Sequence, residues 1–342
     1  MRWACAAILT VAAAVTMKSA GGVEVKVNEA ARRVDITIDG QPFTSYIWPD
    51  TLKKPVLYPL RTAKGTVVTR GFPLDPRPGE RVDHPHHVGL WFNHGDVNNL
   101  DFWNNSDAIK PEDAPKMGTI LHRKVLEAKG GPDEGILTVE TAWMAPGNKQ
   151  ILKEVTRFVF RGGADARTID RTTTLTALNE KVVFEDSKEG VLGMRVRREL
   201  EQPADKPEVF TDAAGRATTV AVLDNTGVTG KYVSSEGKQG DAVWSTRAKW
   251  TLLGGVVNGE NVTLAILDHP SNVGYPTHWH ARGYGLYAAN PLGDKQFNEP
   301  KDFNYTLEAG KSVTFKHRVL ILSVPPSTER IERESRAFAQ GS

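Results

Sequence analysis

Seven of the nine histidines fall in two short segments. The first, VDHPHHVGLWFNHGDVNNLDFW from Val82 to Trp103, holds His84, His86, His87 and His94 among Asp83, Asp96, Asp101, Asn93, Asn98, Asn99, Trp91 and Trp103. The second holds His269 and, in YPTHWHARGYG, His278 and His280. Imidazoles add desolvation cost to a core unless they have partners, and their ordinary pKa suits them to proton transfer near neutrality. We therefore read the two segments as halves of one site.

In a strand, residues two apart share a face, so His278 and His280 would point together with Trp279 opposite, and Arg282 would continue the histidine face. The same alternation would pair His84 with His86 and turn His87 away. Two such pairs can hold one divalent metal ion, with His84, His86, His278 and His280 as candidate ligands, or supply a general acid and base. His-x-His spacing serves both uses. Histidines hydrogen-bonded on a polar face are the plain structural alternative.

Asp96, Asn98 and Asp101 beside Trp91 and Trp103 suit a sugar, whose hydroxyls meet polar groups while a ring stacks on its C–H face. The competing reading is Asx-turn chemistry with the tryptophans in a core. In FEDSKEG (184–190), Glu185 or Glu189 can supply a base, although a solvated charged turn is the simpler account. Asn290, in the turn signal after the second histidine pair, can reach the same cleft.

Strands must position these residues. Val23, Val25 and Val27 alternate with polar neighbours, as do Val34, Ile36 and Ile38, and Asp39-Gly40 supplies a hairpin turn between strands. The period recurs over 137–143, 155–160, 172–178, 191–200, 218–223, 262–267 and 313–321, separated by Gly, Asn and Pro turn signals. This predicts an all-β fold of two packed antiparallel sheets. One short C-terminal helix follows Pro325-Pro326, capped by Ser327 or Thr328, with Ile331, Ser335 and Phe338 on one face. The proline-rich stretch from Trp48 to Arg81 is long for a loop and belongs with the site.

A net charge of +2 and interspersed charges give no basic tract for nucleic acid. Residues 1–20, with Arg2 and the apolar run Trp3 to Met17, are expected to be a secretory signal peptide, leaving residues 21–342 as a single β-sandwich domain in the periplasm or outside the cell. The one cysteine, Cys5, lies in that leader, so disulfides and thiolate chemistry are not expected in the mature protein. No later apolar run reaches the roughly 18 residues of a membrane span. Nucleotide-binding glycine loops, a GxSxG elbow and HExxH are absent.

RGFPLDPRPGERVDHPHHVGLWFNHGDVNNLDFW (70–103), FEDSKEG (184–190) and HPSNVGYPTHWHARGYGLYAANPLG (269–293), in this order, resemble a bacterial secreted family of unknown function that carries the label methane oxygenase PmoA. Asn99 and Ser187 stand where those motifs have a Gly and a Thr. The oxygenase subunit of that name is an integral membrane protein, so the label is read as a misnomer and methane oxidation is not carried over. The family is similar to the galactose-mutarotase-like β-supersandwich, whose members act on sugars from a concave sheet face with histidines and a carboxylate. No catalytic residue follows from the family itself.

The expectation is a carbohydrate-active enzyme that hydrolyses, eliminates or epimerises a small-molecule or oligosaccharide substrate. His86 and His280 would transfer protons or bind metal, with His87 and His278 beside them. Asp101 would be the carboxylate and Arg282 the oxyanion partner. His84, Asp96, Asn98 and Asn290 would contact substrate, and Trp91, Trp103 and Trp279 would stack on it. A non-catalytic glycan-binding or envelope-assembly module is the alternative, and a histidine-bound copper or iron oxidase the third.

Overall fold

The computed structural model describes residues 21–341. The expected signal peptide lies outside the described residues. In chain order the strands are β1 (Val23–Asn28), β2 (Arg33–Ile38), β3 (Gln41–Ile47), β4 (Val56–Leu57), β5 (Leu90–His94), β6 (Thr119–Lys129), β7 (Glu134–Ala145), β8 (Lys149–Gly162), β9 (Ala166–Ala177) and β10 (Val182–Phe184). There follow β11 (Gly190–Arg195), β12 (Glu208–Thr211), β13 (Ala217–Val220), β14 (Lys231–Ser234), β15 (Trp250–Val257), β16 (Glu260–Asp268), β17 (His278–Ala281), β18 (Leu286–Asn290), β19 (Tyr305–Leu307), β20 (Ser312–Leu322) and the helix α1 (Thr328–Gln340).

Two eight-stranded antiparallel sheets carry the fold. The first runs β1-β2-β3-β4-β5-β11-β18-β17 and the second β14-β15-β16-β20-β9-β8-β7-β6. Alternate residues of each sheet meet between them: Leu90, Phe92, Leu192, Met194, Trp279 and Tyr287 from the first face Leu137, Phe158, Ile169, Leu264, Ile266 and Val319 from the second. Burial of one side of each strand is what period-two patterning selects.

The other face of the second sheet is closed by α1. Ser327 Oγ accepts from Arg330 N at 3.2 Å and caps the helix, and Ile331 and Phe338 pack on Trp250, Leu252, Leu267 and Leu320. Among the described residues no helix is long and apolar enough to cross a membrane. The expected strand over 191–200 stops at Arg195, and a 3-10 turn spans Arg198–Leu200.

Candidate active site

The outer face of the first sheet is overlaid by the chain before β5 and the chain after it. Val56, Val88, Trp91, Trp103, Leu286 and Ala288 form a small apolar floor there. Gly193 on β11 pairs with Trp91 on β5 and Ala288 on β18. A Cβ at Gly193 would stand 2.5 Å from Trp91 Cζ2 and 3.0 Å from Trp103 Cη2. Gly193→Val is therefore expected to push both indoles and cost about 1–3 kcal/mol, read as a lower urea midpoint with an unchanged slope.

Over this floor lies the His84–His87 turn. His84 has φ 42°, and His87 N donates to the His84 carbonyl at 2.9 Å. The segment is not a strand, so the expected split of His87 from His84 and His86 does not occur. The His84 ring lies parallel to that of His87, at 4.8 Å, and to that of Tyr284, at 5.3 Å. His86 meets His87 edge-on at 4.3 Å, and His87 stacks on Trp91 at 5.1 Å.

Two buried arginines hold the turn from below. Arg70 Nη2 donates to the carbonyls of His84 (2.9 Å) and His87 (3.2 Å). Asp83 Oδ1 accepts from Arg195 Nη2 at 2.7 Å and from Arg70 Nη1, while Oδ2 meets His84 Nδ1 at 2.7 Å. Arg195 Nη1 donates to His87 Nδ1 at 3.2 Å, which leaves the His87 proton on Nε2. The Nε2 atoms of His86 and His87 are buried without a partner. Buried polar atoms are seldom left unpaired, so these two donors or acceptors suit a ligand.

The second histidine segment forms β17 as expected. His278 and His280 pair with Asn290 and Ala288 and share the outer face, with Trp279 in the core. His280 Nδ1–H donates to the Lys188 carbonyl at 2.8 Å, which leaves the Nε2 lone pair as a base. Burial lowers its pKa to about 3 against the Lys188 bond, so the ring is neutral. The two segments meet where His84 stacks on Tyr284, in the turn between β17 and β18, close enough for His84 to act on His280. His278 sits at the margin, stacked on Phe297 at 4.8 Å with Asp294 Oδ1 3.5 Å away.

The 184–190 segment is a pinned strut rather than a solvated turn. Asp186 accepts backbone N–H bonds from Asp294 (2.8 Å), Lys295 (3.0 Å), Gln296 (3.0 Å) and Phe303 (2.8 Å). The Glu185 carbonyl accepts from His94 Nε2 (2.7 Å), and the Ser187 carbonyl from Asn290 Nδ2 (2.7 Å). These bonds hold half-buried Glu189 toward the histidines. Burial, with Asp101 adding, raises the Glu189 carboxyl above its usual value despite the Asn104 bond.

Several expected roles change. Asp101 spends its carboxylate in its own turn: Oδ1 accepts from Trp103 N and Asn104 N, and Oδ2 from Asn104 Nδ2, each at 2.8 Å. The same Asn104 Nδ2 donates to Glu189 Oε2 at 2.8 Å, so Asp101 positions and Glu189 faces the site. Asp96 Oδ1 accepts from Asn99 N (2.9 Å) and Asn98 Oδ1 from Val183 N (2.8 Å), making a turn docked on β10 beside a separate cleft. Trp91, Trp103 and Trp279 are at most 1% exposed and present no face to a sugar. Asn290 is fully buried and acts through Ser187. Arg282 is exposed, 6.0 Å from the Tyr284 ring centre. Among the described residues no three His, Cys, Asp or Glu side chains gather to hold a metal ion, so His84, His86, His278 and His280 do not form the expected ligand set.

Lys54, Asn104, Tyr284, Arg70 and Arg195 complete the cluster. Buried Lys54 donates to the His86 carbonyl at 2.9 Å, and burial lowers its pKa to about 7 against the pull of Asp101. The pair Lys53-Lys54 inside the proline-rich stretch was the one signal in the sequence for this residue. His86 borders a cleft of about 550 Å³ with Lys54, Pro85 and Asn105.

Buried neutral imidazoles also set an acid limit. His86, His278, His280 and His317 are lowered by burial to about 2, 4, 3 and 3. Unfolded histidine titrates near 6.5, so below that pH the unfolded chain binds protons that the folded chain does not. Their contribution is complete above about pH 6.5 and is lost as pH falls toward the folded values. Tm is expected to drop steadily from about pH 6.5 to about pH 4; a flat profile over that window would contradict the buried, neutral assignment.

The GH36 α-galactosidase AgaB from Geobacillus stearothermophilus is similar in structure, with TM-score 0.44 and 10% identity over 88% of this chain and 41% of that one. A GalM/aldose epimerase homologue from C. elegans has TM-score 0.35 and 10% identity over 90% and 100% of the two chains. A galactose mutarotase-like protein from Clostridium acetobutylicum has TM-score 0.36 and 10% identity over 88% and 98%. The chain thus spans about two fifths of the length of the α-galactosidase. Likenesses at this level say nothing of what the present chain acts on. No curated protein matches it. Residues 33–336, nearly the whole described chain, match one family, and the protein belongs to the family of unknown function DUF6807.

Proposed function

We propose that this protein is an exported enzyme that performs acid/base chemistry on a sugar, with Glu189 and His280 as the proton-transfer groups and the His84–His87 turn as the binding wall. One observation carries the reading: the pinned segment bears Glu189, whose carboxyl has a raised pKa, and through the Lys188 carbonyl fixes the neutral His280 imidazole of β17, while His84 acts on both beside two buried imidazole nitrogens without partners. Groups whose environments push their protonation toward opposite roles are what acid/base catalysis requires. His86 and His87 Nε2 would meet substrate oxygens, and Arg282 at the rim would meet an anionic group or oxyanion. Hydrolysis, elimination and epimerisation all begin with such a proton transfer. Export rests on the apolar leader from Trp3 to Met17.

The test is to incubate the protein with a panel of glycosides, oligosaccharides and 3-keto-glycosides, with and without divalent metal, and to follow the sugars by NMR. New product signals are expected, and they would identify the bond or centre that changes. Binding without any product across the panel would overturn the reading in favour of a glycan-binding module.

A further inference from the structure

A cleft of about 840 Å³ is separate from the smaller one that His86 borders. Its wall is shared with that smaller cleft: Leu52, Lys53, Lys54, Asn105, Ser106 and Asp107 line both. The Lys53–Asp107 ion pair belongs to this common wall. The two spaces therefore lie side by side across this wall.

The large cleft is also lined by an aromatic pair. Trp48, half-buried, stacks on His122 with ring centres 4.0 Å apart and planes 28° apart. His122 Nδ1 is fixed by Tyr46 Oη at 3.1 Å, while its Nε2 is buried without a partner. The imidazole covers one side of the indole and sets its plane, and the indole still reaches the cleft. Trp48 thus brings part of an indole to a cleft, which Trp91, Trp103 and Trp279 do not.

One exposed cation of the cleft is left without an acid. Arg32 and Lys53 are paired with Asp50 and Asp107. Arg123 also lines it and has no carboxylate partner among the described residues; its Nη2 reaches only Met144 Sδ, at 3.3 Å. A guanidinium on a cleft wall with no acid beside it suits a carboxylate or sulfate oxygen.

We infer that the Trp48–His122 cleft is a distal subsite for an anionic sugar unit, stacked on Trp48 and paired with Arg123, so that the substrate is an acidic oligosaccharide spanning both clefts. This rests on the sugar reading above and narrows it to a substrate class. Arg123 is exposed, and its replacement should leave the fold intact.

Calorimetric titration of the full chain with oligogalacturonates, sulfated galacto-oligosaccharides and neutral galacto-oligosaccharides of graded length tests it. Anionic oligomers are expected to bind more tightly as they lengthen. Trp48→Ala and Arg123→Ala should each weaken the longer ones about tenfold or more, and Arg123→Ala should bring them level with the neutral series. The carboxylate and sulfate arms identify which anion is taken. Equal affinity for neutral and anionic oligomers, or full affinity in Arg123→Ala, would overturn the subsite. Turnover of short neutral glycosides with no effect of length would remove the subsite and leave the acid/base reading. Arg123-dependent binding with no product from any sugar would do the reverse.

Discussion

Glu189→Gln is expected to lower kcat/KM by roughly 10²–10⁴-fold, the range that a positioned general acid or base supplies. The substitution keeps size and keeps an oxygen to accept from Asn104 Nδ2, 2.8 Å away in the native protein. It removes only the ability to take or give a proton, so substrate affinity and Tm should stay close to those of the native chain. Burial places the Glu189 carboxyl above its usual value. As the acid, with neutral His280 as the base, it is active when protonated, so the native rate should fall as pH rises through a value above the ordinary glutamate value of about 4.3. Asp101→Asn is the control. Its carboxylate accepts two backbone N–H bonds in its own turn, so its loss should lower Tm and reduce activity less than Glu189→Gln does. An Asp101→Asn defect equal to that of Glu189→Gln, with unchanged Tm, would move the catalytic role to Asp101.

Asp83→Ala should be the most damaging single change to stability, at about 3–5 kcal/mol. Asp83 is the one carboxylate that bonds both Arg70 and Arg195, which are 1% and 0% exposed. Without it, two buried guanidiniums repel each other with no bonded carboxylate, and the nearby Glu201 is already taken by Arg81 and Arg198. Their closeness is already felt: burial first, and then Arg195, lowers the Arg70 pKa to about 9 even with Asp83 present. Burial works against the Asp83 charge, but His84, Arg195 and Arg70 outweigh it and hold the carboxyl far below its usual range. A depressed carboxyl contributes its full stability above the unfolded value of about 4 and loses it as pH falls further. The variant should therefore lack this acid dependence. Urea unfolding of Asp83→Ala and of Asp83→Ala/Arg195→Met measures both effects. The double variant should recover part of the loss, because it removes one of the two stranded charges; no recovery would show that the cost lies elsewhere.

How much of this was legible in the sequence depended on whether local spacing or distant pairing placed each residue. His278 and His280 share a face because β17 is a strand, and period two then fixes their direction. The same rule failed at His84–His87, where Pro85 and a positive φ at His84 make a turn that brings all three rings together. Asp96, Asn98 and Asp101 took the Asx-turn alternative, since short polar side chains satisfy their own backbone first. The tryptophans flanking those polar residues became the floor between sheet and loops. Glu189 lies far along the chain from either histidine segment and reaches the site only because β11 pairs with both β5 and β18. Arg70 and Arg195 meet Asp83 through the same non-local pairing, which no spacing within a window can reveal.

The central claim is a proton transfer to or from a sugar by Glu189 and His280. The most direct measurement is proton NMR in deuterated water of one turned-over sugar, with the native chain and with Glu189→Gln side by side. Product is expected from the native chain, with deuterium entering wherever a carbon-bound proton is exchanged, and no product from the variant on the same timescale. Product formed equally fast by both proteins would contradict it.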